Sequence, residues 1–250
     1  MNETKGSIVR KLLTAALFLC LLGAPVWAAT QPDTAPYDAV LAARARSGGY
    51  DYRGTTAEEK KKLSGYLASL GEAKPAEMAP DERKAFYINA YNVIAIETLL
   101  DHPGKKIVDI DGAFKTAQHK VGGEMLTLDG IENKLREARD ARIHFAIVCA
   151  SRSCPPLAGK AYRADGLSQA LDAQGRQFVA DPAKNRIDKT RGRVALSMIF
   201  NWNRKEFERD GGTLMKEVSR FVADPATAAW VASYPTEPEF LEYDWSPNQP

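Results

Sequence analysis

Two cysteines, Cys149 and Cys154, stand five positions apart in the run Ile143-His144-Phe145-Ala146-Ile147-Val148-Cys149-Ala150-Ser151-Arg152-Ser153-Cys154-Pro155-Pro156. A cysteine does nucleophilic work as its thiolate, which needs an imidazolium, another cation or a helix N-terminus beside it. Arg152 lies between the two, and the Pro-Pro exit predicts a helix start that would put Cys154 at an N-cap. His144 opens the same run and is the first candidate base; His119 is the second, and His102, before Pro103, only ends a helix. The run reads as a β-strand from Ile143 to Cys149, in which alternation sets His144 and Cys149 on opposite faces.

Compartment decides what a cysteine pair means. Lys5, Arg10 and Lys11 precede the apolar stretch Leu12 to Leu22, and Val26-Trp27-Ala28 has the small-residue pattern of a signal-peptidase site, so cleavage is expected after Ala28. The apolar stretch is about half the ~20 residues a membrane span requires, and no stable membrane anchor is expected once it is removed. Cys20 follows Leu19, where a lipoprotein site wants a small residue, and is expected to leave with the signal. The chain is thus expected in the periplasm, or secreted, where a close cysteine pair is more often a disulfide than two free thiols. Closing so short a loop contributes only about 2 kcal/mol.

Cleavage would also remove Lys5, Arg10, Lys11 and Glu3, taking the formal charge from +2 to neutral. The basic footprint of a nucleic-acid binder is then missing, and a small molecule or peptide is the expected partner. A metal site is not expected: Cys-x4-Cys is wider than a zinc knuckle and the three histidines are dispersed. There is no glycine-rich phosphate loop, no Gly-x-Ser-x-Gly elbow and no implied cofactor. Cys-x4-Cys is also two residues longer than the thioredoxin-type redox spacing.

The elements that must position these groups follow from pattern. A helix is expected from Tyr37 to Arg46, and a second from a Thr55 or Thr56 cap to Leu70. A third, opening at Pro80, is apolar around most of its circumference and reads as the core helix. Its interruptions, Asn89 and Asn92, share a face beside Tyr87 and Tyr91. A buried Asn must satisfy both donor and acceptor, either by pinning a loop or by lining a pocket beside Cys149. Hairpins are expected around Gly122-Gly123 and Arg191-Gly192, with further helices over Asp129–Ala138, Asp165–Val179, Ser197–Glu208 and Thr213–Ala223. The fold class is α+β: a single domain over 29–250, with a small, mostly antiparallel sheet surrounded by a majority of helices. Only 29–36 and 246–250 read as loose.

Four motifs occur in one order across most of the chain: Ala85-Phe86-Tyr87-Ile88-Asn89-Ala90-Tyr91-Asn92, Leu126-Thr127-Leu128-Asp129-Gly130-Ile131-Glu132-Asn133, Ala141-Arg142-Ile143-His144-Phe145-Ala146 through Ser151-Arg152-Ser153-Cys154-Pro155-Pro156-Leu157, and Tyr243-Asp244-Trp245. Together they resemble the domain of unknown function 547 family, here as a secreted bacterial member. The resemblance carries no agreed activity. The candidate binding residues among these motifs are Asn89, Asn92, Tyr91, Glu132, Asn133, Arg142, Ser151 and Arg152. Family members often have Cys-Gly where this chain has Cys149-Ala150, Ile-Glu-His where it has Ile131-Glu132-Asn133, and Leu where it has Pro247. A histidine at 133 would offer a base, whereas Asn133 offers only hydrogen bonds and leaves that role to His119 or His144. The leading expectation is a thiol-dependent enzyme of hydrolase or acyl-transfer type with Cys149 as nucleophile. The alternatives are a non-enzymatic binding or scaffold domain braced by a Cys149–Cys154 bridge, and a thiol–disulfide redox protein.

Overall fold

One deeply buried helix organises everything else. In the computed structural model, which describes residues 29–250, helix α3 (Pro80–Asp101) is buried without interruption from Ala85 to Ile96. The signal-peptide reading and Cys20 lie outside the described residues. Two helices pack ahead of it: α1 (Ala35–Arg44), followed by the short antiparallel pair β1 (Ala45–Arg46) and β2 (Gly49–Tyr50), and α2 (Ala57–Gly71). Thr56 opens α2 with a reciprocal cap, its hydroxyl accepting from Glu59 N at 3.2 Å and its own N–H donating to Glu59 Oε2 at 2.8 Å.

The hairpin of β3 (His119–Val121) and β4 (Glu124–Leu126) turns at Gly122 and Gly123, both at positive φ. Their N–H groups donate to Leu70 O and Gly71 O, so the hairpin tip satisfies carbonyls that the end of α2 leaves open. Next come α4 (Leu128–Arg136) and α5 (Leu167–Ala180), then β5 (Arg186–Asp188) and β6 (Arg193–Leu196). Four short helices follow: α6 (Met198–Trp202), α7 (Arg204–Phe207), α8 (Leu214–Ser219) and α9 (Pro225–Ala232). The last strand, β7 (Glu239–Phe240), pairs in parallel with β6 while β5 pairs antiparallel. The chain is an α+β fold, helical in the main, with the strands of the described residues in three small sheets.

Several expectations are corrected. Ile143–Cys149 is not a strand: Ala141–Phe145 forms a 3-10 helix and the backbone then runs irregularly to Cys149. No helix begins at Cys154. The helix expected over Ser197–Glu208 breaks at Asn203, whose φ and ψ of −107° and 21° leave the helical region. The two stretches read as loose are held. Gln31 N donates to Glu82 Oε1 at 2.8 Å, and Tyr52 OH donates to Asn248 Oδ1 at 2.8 Å. Gly49 admits this tail, because a Cβ there would collide with the Asn248 carbonyl.

Buried apolar residues fall into two clusters. One gathers α1 to α4; the other is a phenylalanine cluster of Phe145, Phe178, Phe200, Phe207 and Phe221, with ring centroids 5.0 to 5.8 Å apart. The segment 141–149 is the seam between them, since Ile143 and Ala146 belong to the first and Phe145 to the second.

Candidate functional site

The seam is held by an asparagine. Asn92 on α3 donates from Nδ2 to Ala146 O at 2.9 Å and accepts at Oδ1 from Val148 N at 2.8 Å, so one amide replaces the sheet neighbour an extended segment would otherwise need. One turn earlier Asn89 does the same for another loop: Nδ2 donates to Tyr162 O at 2.8 Å and Gln31 Oε1 at 2.9 Å, and Oδ1 accepts from Tyr162 N at 2.8 Å. Both amides are spent on backbone, and neither lines a pocket beside Cys149. Tyr91, which lies between them in sequence, does.

Beyond the clamp, Cys149 and Cys154 are joined by a disulfide. Ala150 takes a left-handed φ of 62°, a conformation glycine adopts freely, which accounts for Cys-Gly being common at this place in the resembling family. Polar groups surround the sulfurs. Cys149 N donates to Cys154 Sγ at 3.0 Å, Ser151 Oγ lies 3.2 Å from each sulfur, and Tyr243 OH lies 3.3 and 3.2 Å from Cys149 and Cys154. Ser151 is itself buried and donates to Tyr243 OH at 3.0 Å. Tyr243 arrives because the tail straps the loop: Arg152 N donates to Ser246 O at 2.7 Å, Asn248 N to Ala150 O at 3.0 Å, and Ser151 bridges Pro247. Cys154 is buried and Cys149 half-buried.

His144 is fully buried between two carboxylates. Its Nε2 lies 2.5 Å from Glu206 Oε2, and its Nδ1 3.8 Å from Glu132 Oε1. Arg136 ties the group together, donating to Glu132 Oε1 at 2.6 Å, Glu206 Oε1 at 2.9 Å, Asn133 Oδ1 and Asn203 Oδ1 at 3.0 Å. The carboxyls are pushed apart. Burial holds Glu132 above the usual carboxylate range. Burial acts on Glu206 in the same sense, but the hydrogen bond from His144 and the charge of Arg136 overcome it and hold Glu206 below that range.

These groups share one cavity of about 200 Å³. The disulfide, Tyr91 and Ile147 form one wall; Glu132, Arg136 and His144 another; Phe114, Trp202, Tyr243 and Trp245 a third. Tyr243 packs at a tilt against both indoles, 4.8 Å from Trp202 and 4.6 Å from Trp245, and Trp202 is 48% exposed at the rim. The separation of His144 from Cys149 by strand alternation is overturned: with no strand there, both face the same space. They are not hydrogen-bonded to each other.

Other expected site residues lie elsewhere. His119 does not line the cavity; it sits on β3 with Nε2 buried and unpartnered, and burial lowers its pKa. Asn133 faces only Arg136. Arg142 is committed to Asp140 and Asp172. Arg152 points outward, its side chain 64% exposed and 3.6 Å from Asp244. Arg136, Glu206 and Trp202 went unrecognised in the sequence. Their only signal is ordinary, a charged or aromatic residue on a short helix. Tyr243 and Trp245 had been marked only as part of a motif.

Residues 75–179 match the family model described as a protein of unknown function, DUF547. This stretch is a DUF547 domain. It carries Asn89, Asn92, Glu132, Arg136, His144 and both cysteines. Trp202, Glu206, Tyr243 and Trp245 lie C-terminal to the matched stretch, so the cavity is closed by segments outside the DUF547 match. No curated protein and no solved structure matches the chain.

Proposed function

We propose that the protein is a thiol-dependent enzyme of the periplasm or exterior, in which the Cys149–Cys154 disulfide exchanges with a thiol bound in the cavity. The observation that carries this reading is the ring of hydrogen-bond donors around the sulfurs. A disulfide sulfur is a weak acceptor and gains little from Cys149 N–H and from Tyr243 OH, whose own oxygen accepts from Ser151, whereas a thiolate gains a great deal. A substrate thiolate attacks Cys149 Sγ, the more accessible sulfur. The S–S bond breaks and its electron pair leaves on Cys154, where Cys149 N–H and Tyr243 OH receive it. A second substrate thiolate then attacks the mixed disulfide at the substrate sulfur and releases Cys149. Two electrons have passed to the protein and one substrate disulfide has formed. The extracytoplasmic part of the reading rests on the sequence of residues 1–28.

Equilibration in dithiothreitol or glutathione buffers, with alkylation and mass analysis, tests it. Structural disulfides have potentials below about −300 mV. The expected midpoint lies above that value, with Cys149 alkylated first in partly reduced protein. Tyr243→Phe should lower the midpoint by roughly 30 mV, the equivalent of about 1.4 kcal/mol lost from the thiolate. A midpoint below −300 mV that Tyr243→Phe leaves unchanged returns the bridge to a structural role. The common cavity of His144 and Cys149 favours one second reading, acyl transfer by a free Cys149. A burst of p-nitrophenol from p-nitrophenyl acetate on the Cys154→Ser variant, lost on Cys149→Ser, would support it.

A further inference from the structure

The cavity has unspent chemistry, and it is of one kind. The five donors of Arg136 face four acceptors, so its charge is answered within the protein. Glu132 is answered only in part. Its Oε1 takes the bond from Arg136, while Oε2 has no hydrogen-bond partner among the described residues, and burial pulls the carboxyl toward its neutral form. Glu132 and Glu206 share the one guanidinium, and Glu132 keeps an oxygen open to a ligand cation. Tyr91, 3% exposed, likewise brings an OH to this cavity that no described residue engages.

The remaining wall is aromatic. Phe114, Trp202, Tyr243 and Trp245 form a contiguous cluster in which Trp202 and Trp245 stack 5.7 Å apart, Tyr243 is tilted against both, and Phe114 meets Trp245 edge-on at 6.4 Å. Ring faces carry negative quadrupole density and attract ammonium groups, most strongly when a carboxylate completes the enclosure. About 200 Å³ is below the range that holds a drug-sized ligand, which restricts the occupant to a small molecule or the tip of a side chain. The sulfur of Cys149 opens onto the same space.

We propose that the cavity binds a small organic ammonium ion between Glu132 and the tryptophan-tyrosine cluster, and that the thiol exchanged at Cys149 is an aminothiol. The second half rests on the exchange reading above; the ammonium site does not. An aminothiol carries in one small molecule a cation for Glu132 and a sulfur for Cys149, which line the same cavity, so recognition of the cation brings the sulfur to the disulfide. Thiols that are neutral lack the handle, and carboxylated thiols meet Glu132 with like charge.

The test compares reduction of the full chain by cysteamine, 2-mercaptoethanol and 3-mercaptopropionate, with rates divided by thiolate concentration. Tetramethylammonium, which has no thiol, serves as a competitor and as a ligand read by tryptophan fluorescence. The expected result is cysteamine at least tenfold faster than 2-mercaptoethanol, with 3-mercaptopropionate slowest. Tetramethylammonium should slow cysteamine and change the fluorescence. Glu132→Gln should lose the cysteamine advantage and Glu132→Asp keep part of it. Equal rates for the three thiols with no response to tetramethylammonium overturn the ammonium site and leave exchange standing. A fluorescence response with no reduction by any thiol overturns the aminothiol substrate and the exchange reading, and keeps the ammonium site. Silence in both measurements overturns the whole proposal.

Discussion

Replacing Asn92 with alanine removes two hydrogen bonds from places water does not reach. Asn92, Ala146 and Val148 are all buried, and the lost partners are the Ala146 carbonyl and the Val148 N–H. Each group left unpaired costs about 1–3 kcal/mol, which puts the variant roughly 4 kcal/mol below the parent. That is a large part of the 5–15 kcal/mol expected of a folded domain. With a urea slope of about 3 kcal/mol/M, the unfolding midpoint should fall by roughly 1.3 M. Asn89→Ala strands the Tyr162 N–H but leaves Tyr162 O its bond from Gln31 Nε2 at 3.0 Å, so it should cost about half as much, roughly 2 kcal/mol. The two variants should part company at the thiols. Only Asn92 holds the segment leading into Cys149, so only its loss should change the rate at which a thiol reduces the disulfide under native conditions. A midpoint shift under about 0.3 M for Asn92→Ala, or equal effects of both variants on the reduction rate, would refute the clamp.

Two other expectations concern stability. Burial alone would raise the pKa of Asp140, but hydrogen bonds and charge from Arg142 and Lys84 bring it down to about 2, below its ordinary 3.8. Its contribution is therefore complete above its unfolded pKa and is lost as pH falls toward 2; Asp140→Asn should cost about 2 kcal/mol at pH 7, and the gap between variant and parent should close between about pH 4 and 2 in denaturation curves. Gly175 lies in α5 where an added Cβ would stand 2.5 Å from Phe221 Cδ1 and 3.0 Å from Phe145 Cδ2. Gly175→Ala should therefore destabilise by roughly 1–3 kcal/mol, despite the better helix propensity of alanine, and a higher thermal midpoint would contradict the packing around Phe145.

Much of the fold was legible because its causes are local. The Thr56 cap with Glu59 three residues on, Pro80 at the start of α3, and Gly122-Gly123 at a hairpin each act within a few residues. Ile143–Cys149 misled for a related reason. A short β-branched apolar run has the composition of a buried strand, but a strand needs a partner, and Asn92 supplies the backbone bonds that a partner would have made. Ser197–Glu208 misled because the helical periodicity runs on through Asn203, whose side chain instead bonds Ile199 O and Arg136 at the break.

By itself the sequence determined the helical majority, the core helix, the importance of the 142–157 run and the family of its central stretch. It also marked Cys149, Cys154 and His144 as the groups to watch, because residue type alone limits which side chains can do nucleophilic or acid-base work. The tertiary structure alone decided their relation. It brought His144 and Cys149 to one cavity, spent Asn89 and Asn92 on backbone, left Asn133 holding Arg136, and carried Glu206, Trp202, Tyr243 and Trp245 in from 45 or more residues away. A cavity wall is made by whichever surfaces meet when two hydrophobic clusters close on each other, and that meeting is a property of packing over the whole chain.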